Sequence, residues 1–208
     1  LEIIVLLRGK IPSSEPIINI GLVLPDDQIK EIKISCSNQS AFDLFINDSA
    51  NESKKSELNV SVNDGQLFCN DMCISNIKIN ANSNNKEEYI LIDSLPIGRG
   101  FHWENSIPVK VLGNILIMIM KNNLFIVNQL KLEDYIMCVS TSEMSPKCPP
   151  DLLKSQTIAA RSWLLAACEQ KHEDLNIDAC NDDCCQRYQG INNLTNHAIE
   201  SAESTRGK

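Results

Sequence analysis

Apolar and polar positions alternate with a period near two through the first two-thirds of the chain. Residues 17–19 leading into 21–24, then 32–35, 58–62, 77–80 and 89–92, each read as a strand with one face buried. Asn63-Asp64-Gly65 predicts a tight hairpin turn, because Asp-Gly supplies the positive φ angles such a turn needs. Lys110-Val111-Leu112, turned at Gly113-Asn114 into 115–120, predicts a second hairpin. Lys121-Asn122-Asn123 then returns that strand into 124–128. The polar stretches 47–57 and 82–88 predict surface loops.

Near residue 130 the period changes. Leu132, Ile136 and Val139 fall at i, i+4 and i+7, the stripe of a helix. Glu133 and Asp134 lie in its first turn, where acidic groups favour the helix dipole. Met144-Ser145-Pro146 ends it, since the residue before proline is pushed out of the α region. Pro149-Pro150-Asp151 opens a longer, alanine-rich helix expected to run to about Lys171. Leu152, Gln156, Ala159, Trp163, Ala166 and Gln170 line one side of it, and Leu153, Ala160, Leu164 and Ala167 the adjacent one. Strands followed by helices, without β-α repetition, predict an α+β fold: an antiparallel, strand-rich N-terminal part followed by a helical region.

Composition narrows the function. The 208 residues are 43% hydrophobic and 22% charged, enough for a real core. A net charge of −8 disfavours non-specific binding to nucleic acid or to an anionic membrane. No run approaches the length of a membrane-spanning segment. The chain opens on Leu1 without a signal-like start, which reads as a trimmed piece, so export cannot be judged from it. The Asn-x-Ser/Thr sequons at Asn38, Asn47, Asn51, Asn59 and Asn193 are read as chance in an Asn-rich chain.

Nine cysteines bring in chemistry. Cys138 and Cys168, in apolar helical surroundings, are expected to be small core residues. Cys69 and Cys73 read as a local disulfide or two free thiols. Cys180, Cys184 and Cys185 crowd one loop, where they can hold zinc with His172 as a further ligand, or form a disulfide in an exported protein; the spacing leaves both open. Glu143 ends the apolar stripe of the first helix beside a proline turn. Desolvation there would raise its pKa and suit it to hold a proton near neutrality, unless it frays outward. Arg161 lies among small and apolar residues, either buried against an anion such as Glu143 or on an exposed face. There is no phosphate-binding glycine loop, no Gly-x-Ser-x-Gly elbow and no His-Glu-x-x-His.

The run Leu132-Glu133-Asp134-Tyr135-Ile136, followed by Val139-Ser140-Thr141-Ser142-Glu143-Met144, resembles the SpoIID/LytB signature: LEDY, a valine-rich stretch, then SEM or AEM. LKSQTIAARSW at 153–163 is similar to that family's LKAQAIAARTY helix, and CNDDCCQRYQG at 180–190 to its CDTTHCQVYKG loop. Thr205-Arg206-Gly207 is similar to its ATRG, and GRGFHWE at 98–104 to a segment seen in many members.

The resemblance implies a strand-rich accessory region over 1–95 and a SpoIID-like catalytic domain over 96–208 that continues past Lys208. It implies a stage II sporulation-type lytic transglycosylase acting on peptidoglycan glycan strands outside the cytoplasm, secreted or membrane-anchored. For LytB-like members it implies instead a non-catalytic enhancer of a cell-wall amidase. By the same resemblance Glu143 is the catalytic acid/base, Arg161 the family's important arginine, and Gln186 and Tyr188 polar residues near the substrate cleft. No cofactor is required for the chemistry. A structural zinc would be held by Cys180, Cys185 and His172, with Cys184 standing where the family has a histidine, so that it is a ligand itself or pairs with another cysteine. Such an enzyme needs one carboxyl group, because a hydroxyl of the substrate replaces water as nucleophile.

Overall fold

The structure, a computed structural model, describes residues 9, 12–50, 56–82, 85–166 and 171–208. In chain order the elements are β1 (Ile17–Val23), β2 (Glu31–Cys36), β3 (Phe42–Ile46), β4 (Ser49–Ala50), β5 (Glu57–Asn63), β6 (Gln66–Cys69), β7 (Met72–Ile74), β8 (Ile77–Ala81), β9 (Ile90–Ile97), β10 (Asn105–Val111), β11 (Asn114–Met120), β12 (Asn123–Lys131), α1 (Leu132–Glu143), α2 (Pro150–Ala166), β13 (Ala179–Cys180) and α3 (Asn196–Ser204). The protein is α+β, with antiparallel sheet early and its helices in the C-terminal part. No described helix is long and apolar enough to cross a membrane.

The chain divides into two compact units. Among the described residues, one comprises residues 21–129, the other 130–208 together with the segment up to Ile20. The boundary falls inside β1 and β12, whereas the sequence places its functional boundary at 95/96.

The first unit holds a six-stranded sheet in the order β10-β9-β2-β5-β6-β7, and a second run ordered β12-β11-β8-β3-β4. In β2 and β5 the apolar residues Ile32, Ile34, Leu58, Val60 and Val62 alternate inward, as their period predicts. β11 and β12 instead bury the runs Ile115-Leu116-Ile117 and Leu124-Phe125-Ile126-Val127, a sign that both faces are covered. Asp64 and Gly65, at φ 48° and 76°, close the β5–β6 hairpin with Asn63 opposite Gln66. Lys121 and Asn122, at φ 51° and 62°, close β11–β12.

The expected hairpin across Gly113-Asn114 does not form. β10 pairs with β9, while β11 pairs with β12 and β8. Gly113, at φ 78°, turns the chain from one sheet into another. Asn128 secures the turn by donating from Nδ2 to the Leu112 and Asn114 carbonyls at 2.8 and 3.0 Å. The polar stretch 47–57 includes a tight Asn47-Asp48 turn into β4; its residues 51–55, and residues 83–84 of the second stretch, lie outside the described residues.

In the second unit, α1, α2 and α3 pack against one another. β13 sits beside the first residues of β1, where the Asp178 amide donates to the Asn19 carbonyl at 2.9 Å. The Asn19 amide returns a bond to Asp178 Oδ2 at 2.7 Å. α1 buries Tyr135, Ile136, Cys138 and Val139, each of the larger ones contributing roughly 1.5–3 kcal/mol. It also buries Ser140, Thr141 and Ser142, whose hydroxyls donate back to the carbonyls of Met137 or Cys138 and so need no water. The buried side of α2 is Leu153, Thr157, Ala160, Arg161 and Leu164, whereas Leu152 is exposed. The described helix ends at Ala166 and Lys171 lies in a turn; Cys168 and Gln170 fall outside the described residues.

Candidate active site

Glu143 is the last residue of α1 and is half-buried. Its Oε1 accepts the backbone N–H of Arg187 at 2.6 Å. Among the described residues Oε2 has no hydrogen-bond partner. The carboxylate is thus fixed through one oxygen and open at the other. One residue back, Ser142 Oγ accepts the Gln189 amide at 3.1 Å while donating to the Cys138 carbonyl at 2.9 Å. Two successive side chains of the helix end therefore grip alternate amides of the loop that follows β13.

Gln186 and Tyr188, which flank Arg187, point into the interior. Gln186 Oε1 accepts the Tyr135 hydroxyl at 3.1 Å, and its Nε2 donates to the Ala160 carbonyl at 3.3 Å. Tyr188 is fully buried, its ring 5.2 Å from that of Tyr135. Burial pushes its phenol well above the usual tyrosine range, so it stays protonated. Both residues fasten the loop to α1 and α2 from behind Glu143. Arg187 lies beside them in the chain, its guanidinium on Asp183 Oδ1 at 2.7 Å.

Arg161 does not orient Glu143. It is 3% exposed and forms a bidentate pair with Glu133, Nε to Oε1 at 2.9 Å and Nη2 to Oε2 at 2.7 Å. Nη1 also reaches the carbonyls of Thr157 and Lys208, and Nη2 that of Ala202. The reason is geometric: Glu133 is in the first turn of α1 and Glu143 in its last, and Arg161 on α2 meets the former. Its planar fork matches one carboxylate well and so ties α1 to α2. The pair borders a cavity of about 560 Å³ also lined by Pro16, Leu165 and Arg206. Nearby Thr205 is buried, its hydroxyl 2.8 Å from that of Thr157.

The cysteine loop gathers His172, Cys180, Cys184 and Cys185, whose ligand atoms all lie within 4.8 Å of one another. Cys180 Sγ is 3.2 Å from Cys184 Sγ, which in turn is 3.7 Å from His172 Nε2. A separation of 3.2 Å is well beyond a disulfide's S–S bond of about 2 Å, so these sulfurs are not joined. The Cys184 thiol is pulled far below the usual range by hydrogen bonds from Cys180, Cys185 and His172. Its hydrogen bonds to Cys184 and Cys185, with burial, push Cys180 far up. His172 is raised to about 9 by Cys184 and then Cys185. One histidine and three cysteines, already sharing thiolate character, are a donor set suited to a closed four-coordinate zinc. Cys69 and Cys73 are not joined in a disulfide and lie on opposite faces of the β6–β7 hairpin, Cys69 opposite Met72 and Cys73 opposite Phe68. Cys138 is a buried core residue.

The sequence reading brought Glu143, the cysteines and His172 forward but missed Ser142 and Arg187. The Ser142 hydroxyl and Arg187 amide contribute through single hydrogen bonds whose partner is set only by folding.

Residues 120–208 match the SpoIID family model, described as a stage II sporulation protein. An uncharacterized protein of Brachyspira hyodysenteriae is 30% identical over 94 residues, which are 45% of this chain and 25% of that protein. The chain thus spans about a quarter of the length of the curated relative it matches. No solved structure matches it.

Proposed function

We propose that this chain, whose residues 120–208 match the SpoIID family model, acts on the bacterial cell wall as a peptidoglycan lytic transglycosylase, outside the cytoplasm. The observation that carries the reading is the Glu143 carboxyl, held at Oε1 by the Arg187 amide and open at Oε2. Such a group protonates the glycosidic oxygen between N-acetylmuramic acid and N-acetylglucosamine. The carboxylate left behind takes the proton of the muramoyl C6 hydroxyl as that oxygen attacks C1. The C1–O bond to the leaving sugar breaks, a 1,6-anhydro ring forms, and the glutamic acid is regenerated.

A second carboxylate across the bond is not needed, and three acids of the second unit are engaged elsewhere. Asp183 holds Arg187, Glu133 holds Arg161 and Asp178 holds Asn19. Gln186 and Tyr188 act as positioning residues that set the loop carrying the Arg187 amide. His172, Cys180, Cys184 and Cys185 would hold a zinc whose contribution is to lock that loop.

Digestion of glycan strands stripped of stem peptides, followed by mass spectrometry, tests the reading. Anhydro-muramoyl ends are expected from the wild type and not from Glu143→Gln. Wild-type protein that stimulates a wall amidase yet forms no anhydro ends would replace the enzyme with an amidase enhancer.

A further inference from the structure

The turn between β9 and β10 carries two aromatic rings that no core claims. Phe101 and Trp103 stack at 4.4 Å between centroids and 10° between planes, and remain 44% and 43% exposed. His102 meets the Trp103 ring edge-on at 4.8 Å. The turn is braced. Gly98 and Gly100 take φ of 69° and 76°. The Phe101 amide donates to the Gly98 carbonyl at 2.9 Å, and the Gly100 amide to Glu104 Oε2 at 2.8 Å. Arg99, between the glycines, reaches inward to Asp27 Oδ2 at 2.8 Å and the Leu22 carbonyl at 2.9 Å. Trp103 lies so close to Gly98 that an added Cβ would come within 2.5 Å of its ring.

We propose that the stacked Phe101–Trp103 pair is a docking platform for a hexosamine ring of a β-1,4-linked glycan, in the unit that does not contain Glu143. The inference rests on the cell-wall reading above for the identity of the polymer. An aromatic face is electron-rich and attracts the polarised C–H groups on the flat face of a pyranose. His102 and Glu104, exposed in the same turn, are polar side chains able to meet hydroxyl and acetamido groups at the ring's edge. The alternatives fit less well. A stable protein interface needs roughly 800 Å² per partner with an apolar centre, and among the described residues the other exposed large apolar side chains, Ile17, Met72 and Leu152, lie on other elements. A net charge of −8 opposes an anionic membrane. A rigid, small, flat aromatic surface with polar surroundings is what a neutral sugar requires.

The test is binding of chitohexaose, a linear β-1,4 N-acetylglucosamine hexamer, to the whole chain. The probe lacks the muramoyl–N-acetylglucosamine bond at which cleavage is proposed and cannot give the anhydro-muramoyl product, which separates binding from cleavage. The two tryptophans are Trp103 and Trp163, so a Trp163→Phe background makes Trp103 the emission reporter. Saturable binding with a change in Trp103 emission is expected. Calorimetry should show affinity weakened about tenfold or more by Phe101→Ala and by Trp103→Ala. Phe101→Ala keeps Trp103 on Gly98 and guards against a simple collapse of the turn. Absence of binding, binding unchanged in both variants, or emission that responds to phosphatidylcholine vesicles instead of chitohexaose overturns the proposal. Platform variants that bind normally while Glu143-dependent cleavage persists defeat this inference alone. Platform binding without cleavage upholds it and defeats the transglycosylase reading.

Discussion

Replacing Arg161 with methionine should destabilise the second unit by about 3–5 kcal/mol, the usual effect of deleting one member of a buried ion pair. The figure follows from burial: Arg161 is 3% exposed and Glu133 11%, so little water can reach the abandoned carboxylate. The carbonyls of Thr157, Ala202 and Lys208 also lose a donor, though at 3.3–3.5 Å these bonds are weak and add little. Against a typical domain stability of about 5–15 kcal/mol, the loss is large. Urea unfolding followed by far-UV circular dichroism measures it, with a second probe to confirm a single transition. The informative comparison is the double variant Arg161→Met with Glu133→Leu. Removing both charges abolishes the stranded carboxylate, so the double should be more stable than Arg161→Met alone, by about 2 kcal/mol or more. A single variant costing under about 1 kcal/mol, or a double no better than the single, would refute the ion pair as the tie between α1 and α2.

The cysteine loop should bind one zinc per chain by elemental analysis, and Cys180→Ser or Cys184→Ser should lower that stoichiometry; a reduced, zinc-supplemented wild type without metal would count against the cluster. Gln186→Ala should cost about 1–3 kcal/mol in the same urea assay, because it removes two buried hydrogen bonds, to the Tyr135 hydroxyl and the Ala160 carbonyl; an unchanged midpoint would deny it the positioning role. Burial pushes the Cys36 thiol up to about 11 from 9.0, so its alkylation at pH 8 should lag behind that of exposed Cys73 and accelerate only as the pH approaches 11. The folded state holds that proton more tightly, so this group's stabilising contribution is intact below pH 9 and falls as pH climbs toward 11. Equal alkylation rates at pH 8, read by peptide mass spectrometry, would contradict it.

Local periodicity gave the strands and helices, because each reflects which face of a short segment is buried. It could not assign partners. The alternation on either side of Gly113 is the same whether β10 and β11 pair or join separate sheets, and long-range pairing decides. The same limit explains Arg161. Its apolar setting left burial against an anion and an exposed face both open, and the choice of Glu133 over Glu143 depends on how α2 meets α1. Glu143 stood out because it terminates a stripe, whereas the group that holds it is a main-chain amide, which every residue but proline possesses. Gln186 and Tyr188 were recognisable by motif, yet their burial behind the loop was not, since their alternation with Arg187 and Gln189 gains meaning only once α1 lies against it.

Cys185 and Arg187 are two residues apart, so at most about 7 Å of backbone separates the sulfur cluster from the amide gripping Glu143. Over so short a tether, slack is scarce. A ligand set that tightens around an ion, or two sulfurs that join on oxidation, draws on the same few peptide units that set the carboxylate's aim. On the proposed reading of Glu143 as the acid, reagents that touch only sulfur should therefore register as changes in proton transfer.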